Sequence, residues 1–312
     1  MPIALTSFPL PAAARDALAR VGELRGPDRW HDALAEADAL LCLLTERVDA
    51  ALLERAPRLR VVACATVGYE HVDVAACRER GIVVTHTPDV LTDATADLTL
   101  ALLLASVRRL PQAERSLRAG GFRGWGFWDY LGGDLAGATL GIFGMGRIGQ
   151  AVARRAAPFG LRVQYTSRTR LPAEQEAALG ARWVDWDELL ETSDVLSLHA
   201  PLTSETRHLL DADALRRMKR GSYLINTARG ALVDEAALVE ALRDGPLAGA
   251  GLDVYEREPA LAPGLLELEN VVLLPHVGSA TRQTRERMAT LAARNAAAVL
   301  AGRPPLTPVP GG

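Results

Sequence analysis

The chain has 312 residues, of which 49% are hydrophobic and 23% charged, and its formal net charge is −3. That length corresponds to about two domains of ordinary size, and that composition excludes a largely disordered protein. The slightly acidic balance supplies no basic field, so neither nucleic acid nor an anionic membrane is expected as a partner.

The first residues, Met1 to Thr6, lack the charged start and apolar core of a signal peptide. Apolar runs at 3–5, 39–44, 61–65 and 82–84 read as buried strands, and segments such as 12–21 and 72–80 carry apolar residues at helical spacing. Such alternation predicts parallel strands with helices on both faces. Cys42, Cys64 and Cys77 are too few and too scattered for a disulfide framework or a zinc site, and Cys42 and Cys64 read as buried, inert thiols. No metal is expected.

A long helical run follows from Thr92, its expected N-cap, to about Arg109. Its apolar part, around 98–107, is too short to span a bilayer, so a cytoplasmic protein is expected. A loop rich in glycine and aromatic residues comes next, from Gly120 to Trp128. A second βα series then begins at Thr139, with strands expected at 140–143, 162–165, 182–184, 195–198, 223–226, 249–252 and 271–274. The last helix, 280–300, has no strand after it and is expected to return to the first domain. The proline-rich tail 304–308 reads as a loose end. The reading is two doubly wound α/β domains joined by long hinge helices, divided into 1–98 with 284–312 and 99–283.

The second series opens on Gly144-Met145-Gly146-Arg147-Ile148-Gly149, a G-x-G-x-x-G between strand and helix. In that setting Gly144 allows the tight turn, Gly146 admits a pyrophosphate and Gly149 lets helix and strand pack closely. The phosphates would meet N–H groups of Arg147 and Ile148 at the helix start. A cofactor without a 2′-phosphate calls for an acid at the end of the next strand. Here that place reads Ser167-Arg168-Thr169, a hydroxyl and a guanidinium suited to a phosphate dianion, so NADP(H) is preferred and NAD(H) remains possible. Arg168 and Arg170 forming a solvated basic loop is the plainer alternative.

Arg229, Glu258 and His276 each stand just after an apolar strand of the second series. Strand ends of a parallel sheet converge where ligand binds, and these three types suffice to reduce a 2-keto acid. No metal-ligand spacing appears. The remaining histidines stand apart from this set, with His199 read as a positioning residue.

The chain resembles the D-isomer-specific 2-hydroxyacid dehydrogenases, and within them the glyoxylate/hydroxypyruvate reductases. The resemblance rests on 65–69, 91–97, the Gly144 loop, 199–203, 226–230, 252–259 and 275–279, in family order. It implies a Rossmann nucleotide-binding domain and a flavodoxin-like substrate domain. Arg229 then clamps the substrate carboxylate, His276 acts as general acid, and Glu258 orients the imidazole and favours its charged form. It also implies substrate contacts at Val67 and Gly68, with Leu91 lining the pocket. Asp253 would hold the nicotinamide carboxamide, and Thr95, Pro201, Thr206, Thr227, Ala228 and Gly278 would make further cofactor contacts. Thr95 and Thr206 read equally well as an ordinary helix residue and a turn cap. Asp97 departs from the family, many of whose members carry Glu there.

The aromatic loop around Trp125 and Trp128, with the helix from Thr92, is expected to meet a second copy of the chain in a homodimer through the nucleotide-binding domain. Packing of both rings on their own chain is the competing reading. Two other functions stay open. One is NAD-dependent oxidation of another small anion, of the phosphite or 3-phosphoglycerate type. The other is a dinucleotide-sensing binding module.

Overall fold

The computed structural model describes residues 1–310. It divides into two compact units, Met1–Leu91 with the segment from Ser279 on, and Thr92–Gly278. The sequence reading puts the joins at 98/99 and 283/284, inside the helices Thr92–Val107 and Arg282–Leu300; the units divide just before each helix.

The first unit holds five parallel strands, β1 (Ile3–Thr6), β2 (Glu23–Arg25), β3 (Ala39–Cys42), β4 (Val61–Cys64) and β5 (Val83–Thr85), in the order β2-β1-β3-β4-β5. That is the flavodoxin-like order. Strands β1, β3 and β4 are buried at every position, as strands covered on both faces must be. The final helix, Arg282–Leu300, covers one face as expected, laying Ala289, Ala292, Ala293 and Ala296 against Leu18, Leu41, Val61 and Ala63. Trp30, Leu34, Leu53 and Cys77 fill the other face. The edge strand β2 has no counterpart in the sequence reading, because Glu23-Leu24-Arg25 contains no apolar run.

The tail is not a loose end. Val309 N–H donates to the Val84 carbonyl (3.0 Å) and His86 N–H donates to the Thr307 carbonyl (3.1 Å). The buried Asn295 accepts from Leu306 and Thr307 N–H, each at 2.9 Å. The prolines stop a helix, but they do not prevent pairing in extended form.

The second unit carries seven parallel strands: β6 (Thr139–Phe143), β7 (Arg162–Thr166), β8 (Ala181–Trp183), β9 (Val195–Leu198), β10 (Tyr223–Asn226), β11 (Gly249–Leu252) and β12 (Val271–Leu273). Their order, β12-β11-β10-β9-β6-β7-β8, is the doubly wound Rossmann order extended by one strand, with its switch point between β6 and β9. The helix from Thr92 starts at that residue, so Thr92 is its first helical residue and not its N-cap. It buries Leu102, Leu103 and Val107 in the core of its own unit, and Arg155 bridges its Asp93 (2.9 Å) and Asp97 (2.6 Å). Arg109, with φ +53°, separates it from a further helix, Leu110–Arg118. No described helix is long and apolar enough to cross a membrane.

Candidate active site

The glycine loop lies at the switch point. Gly144 has φ +97°, and a Cβ there would stand 2.7 Å from the backbone of His199 and Ala200, beyond β9. A Cβ on Gly149 would stand 2.2 Å from the Gly144 carbonyl, so strand and helix touch through this glycine. Gly146 is different: its Cβ would meet nothing within 4 Å. The backbone is thus open at the one position where a pyrophosphate needs to approach it. Gly146 caps the helix Arg147–Ala156, whose early N–H groups have no partner within the helix and attract an anion. These residues fit a dinucleotide.

At the end of β7 the two arginines differ. Arg170 is tied to Glu176 through two bonds of 2.9 Å and lies over the Trp183 ring. Arg168 is exposed and makes no hydrogen bond or ion pair among the described residues. The Ser167 hydroxyl donates to the Thr169 carbonyl (2.6 Å). Of the two guanidinium groups, only that of Arg168 keeps its donors uncommitted.

Arg229, Glu258 and His276 follow β10, β11 and β12, three neighbours in the sheet. His276 Nδ1 lies 2.8 Å from Glu258 Oε2, which leaves Nε2 as the ring atom free to exchange a proton with a substrate. The other Glu258 oxygen accepts from Tyr255 N–H (3.0 Å). Burial raises the Glu258 pKa, but the His276 and Tyr255 bonds and the charges of His276 and Arg229 outweigh it, holding the carboxyl below its ordinary value. His276 has φ +54°, an uncommon conformation for a non-glycine residue and one that clusters at functional sites. Asp253 fixes the following turn: its two oxygens accept from Val277 and Gly278 N–H, both at 2.7 Å.

Arg229 is set by a brace that the sequence does not announce. The Asn226 amide donates to the Arg229 carbonyl (2.9 Å) and accepts from Ala228 N–H (3.0 Å). A Cβ on Gly230 would fall 1.8 Å from the Tyr255 carbonyl carbon, so the Arg229 and Glu258 loops are in backbone contact. Glu235, buried, accepts from Glu256 N–H (2.5 Å) and Ala262 N–H (3.1 Å). It reads in sequence as one more acid in the first turn of a helix, and nothing local marks it as a brace.

The remaining positions sort by what they touch. Thr95 donates to the Gly278 carbonyl (3.3 Å), and Thr227 pairs with Thr99 (2.9 Å), so both hydroxyls act inside the unit. Thr206 donates to the Pro201 carbonyl (2.8 Å) and accepts from Thr203 N–H (2.8 Å), closing that turn. Ala228 is half-buried and Gly278 buried. Val67, Gly68 and Leu91 belong to the first unit. There, Thr66 donates to the Gly68 carbonyl (2.7 Å) and His86 Nδ1 lies 2.8 Å from the Val67 carbonyl, so His86 shapes this loop. His199 bonds Ser197 (2.8 Å), and desolvation lowers its pKa to about 3, so it stays neutral. His208 pairs with Glu256 (2.9 Å). Cys42 and Cys64 are buried as expected, but they are not isolated: with His71 they form a cluster whose donor atoms all lie within 4.8 Å of one another.

A dinucleotide cradle at a switch point, with Arg, Glu and His on three adjacent strand ends of the same sheet, defines a nicotinamide-dependent oxidoreductase. Residues 100–278 match the family described as D-isomer specific 2-hydroxyacid dehydrogenase, NAD binding domain. The chain is 52% identical over 274 residues to a glyoxylate reductase of Thermococcus litoralis, covering 86% of this chain and 82% of that one. Among solved structures, a Thermus thermophilus protein superposes with a TM-score of 0.91 at 50% identity, covering 99% and 100% of the two chains. An NADPH-dependent glyoxylate/hydroxypyruvate reductase of Sinorhizobium meliloti, solved with NADP and malonate, gives 0.87 at 38% identity, covering 99% and 96%. The chain belongs to the D-isomer-specific 2-hydroxyacid dehydrogenase family and is an NAD(P)-dependent enzyme of that family.

Proposed function

We propose that the protein is an NADPH-preferring reductase of small 2-keto acids, glyoxylate and hydroxypyruvate, yielding D-2-hydroxy acids. The Glu258–His276 bond of 2.8 Å, one strand away from Arg229, carries the reading. When bound in the cradle, a nicotinamide cofactor would supply the hydride for the keto carbon. Arg229 draws the substrate carboxylate and polarises the keto oxygen with its fork of donors. His276 Nε2 gives its proton to that oxygen and takes it back in the reverse direction, while Glu258 holds Nδ1 and so orients the ring. Backbone N–H groups at Val67 and Gly68 are assigned a second carboxylate contact, and Leu91 a wall of the substrate pocket.

The cradle is assigned to Gly144, Gly146, Arg147, Ile148 and Gly149, with Ser167, Arg168 and Thr169 at the 2′-phosphate. Thr95, Pro201, Thr206, Thr227, Ala228, Asp253 and Gly278 complete the cofactor contacts. The names of the Thermococcus and Sinorhizobium relatives support the substrate class, and the latter's NADPH dependence supports the cofactor. A homodimer through the second unit, by way of the aromatic loop, belongs to the same reading.

The decisive assay follows loss of nicotinamide absorbance with glyoxylate and hydroxypyruvate, using NADPH and NADH in parallel. NADPH turnover is expected to be the faster. Removing a charge-assisted contact worth about 1.5–3 kcal/mol should raise the KM for NADPH about ten- to a hundredfold in Arg168→Ala and leave NADH unchanged. Arg170→Ala, whose partner is Glu176, should change neither. Equal loss with both cofactors in Arg168→Ala would remove the phosphate assignment. Silence toward both keto acids would favour the small-anion or sensing alternatives.

A further inference from the structure

We propose that Cys42 Sγ, Cys64 Sγ and His71 Nε2 form a three-ligand site for a borderline-soft divalent cation, of which Zn²⁺ is the type, with the fourth position left to water. The site lies wholly in the first unit, whereas Arg229, Glu258 and His276 belong to the second.

Strand register brings the thiols together. Cys42 and Cys64 close β3 and β4 and are register partners in the parallel pair, so both side chains leave the same face of the sheet at its C-terminal edge. Both join the core with Leu40, Val62 and Val84, opposite the face that the Ala-rich helix covers. His71 is delivered by a locked segment: Val48 N–H donates to the His71 carbonyl (2.9 Å), and Asp73 N–H donates to the Val48 carbonyl (2.8 Å). Its Nε2 lies 3.9 Å from Cys42 Sγ, and all three donor atoms lie within 4.8 Å of one another. Around a tetrahedral zinc, bond lengths of about 2.3 Å to sulfur and 2.05 Å to nitrogen put sulfur about 3.6 Å from nitrogen and about 3.8 Å from a second sulfur. The Cys42–His71 pair is already within about 0.3 Å of that separation, and no pair needs to close by more than about 1.2 Å to complete the set.

Two thiolates and an imidazole select a borderline-soft ion over Mg²⁺ or Ca²⁺, which take oxygen ligands. Three protein ligands are one short of a closed structural site, and the half-buried His71 is the side from which water reaches the ion. Each thiol that joins the ion releases its proton to solvent. Residues 65–70 run between two of the ligands, so an occupied site fixes both ends of that loop.

The test uses full-length protein, metal-stripped and kept reduced with a non-thiol reductant, titrated with Co²⁺. One equivalent is expected to produce a thiolate-to-cobalt charge-transfer band in the near ultraviolet, which one equivalent of Zn²⁺ abolishes. Cys42→Ser and Cys64→Ser should each lose most of the band. His71→Asn, at a half-buried position, should keep sulfur ligation but shift the visible cobalt bands and weaken binding. Cys77→Ser, the third buried thiol, should behave as wild type. Absence of the band in folded wild-type protein, or a band that survives in Cys42→Ser or Cys64→Ser, overturns the proposal. One-equivalent binding without sulfur character overturns it too, placing the ion on other groups.

Discussion

Glu258 sits between opposed effects. Burial disfavours its charge, while His276, Tyr255 N–H and Arg229 favour it, and the favourable set wins. Its pKa in the fold therefore lies below the ordinary 4.5, so the ionised carboxylate stabilises the fold above that value and the contribution is lost as pH falls through the folded pKa. Glu258→Gln should melt below wild type near neutral pH, and the gap should close under acid. Melting both proteins across a pH series checks this, and a gap indifferent to pH would mean that the charge is not what holds the pair. In catalysis, His276→Asn is expected to lower kcat about a hundred- to ten-thousandfold, the range that a positioned proton donor supplies. Dinucleotide affinity, measured separately, should hardly change; a collapse would show that His276 also builds the cofactor site.

Between elements, glycines decide how closely backbones meet. Gly230→Ala would put a methyl group 1.8 Å from the Tyr255 carbonyl carbon, forcing the Arg229 and Glu258 loops apart. A cost of about 1–3 kcal/mol, as for overpacking in a core, is expected together with loss of turnover. Gly146→Ala is the counterpart: with φ −76° and open space at its Cβ, it should unfold in urea like wild type yet bind dinucleotide more weakly. Equal stability losses in the two variants would refute the distinction. The same contrast explains what could be read in the chain. Gly144, Gly146 and Gly149 stand in one contiguous motif, and Arg229, Glu258 and His276 each end an apolar run, so residue type and local context suffice for them. Asn226, Glu235 and Tyr255 do their work through partners that only the packed loops supply. Strand β2 has no apolar signature, and the tail's pairing depends on Asn295, a helix residue 11 positions before Leu306. Cys42 and Cys64 stand far apart in sequence and meet only through strand register.

At the scale of the whole molecule, the surface carries a run of exposed aromatic and aliphatic side chains. Trp125 and Trp128 are 82% and 76% exposed, with Phe122, Phe127 and Leu131 exposed beside them in sequence and Leu110 and Leu117 exposed on the preceding helix. Trp125 and Trp128 each meet Phe127 edge-on, with centroids 5.8 and 4.7 Å apart; that contact leaves most of their surface in water. The helix from Thr92 has already spent its apolar side on its own unit, so the loop and the helix Leu110–Arg118 remain for a partner. Large apolar surface left exposed marks interaction sites when it gathers into a patch. A net charge of −3 opposes self-association only weakly. Each large ring buried between two copies would contribute about 2 kcal/mol, and symmetry supplies every ring twice. Wild-type protein is therefore expected to sediment at twice the chain mass at micromolar concentration, and Trp125→Ser combined with Trp128→Ser at one chain mass. Because neither tryptophan is packed into a core, the double variant should keep the far-ultraviolet circular dichroism of the wild type. A double variant that still sediments as a dimer would place the interface elsewhere, and a monomeric wild type would leave the exposed loop to a different partner.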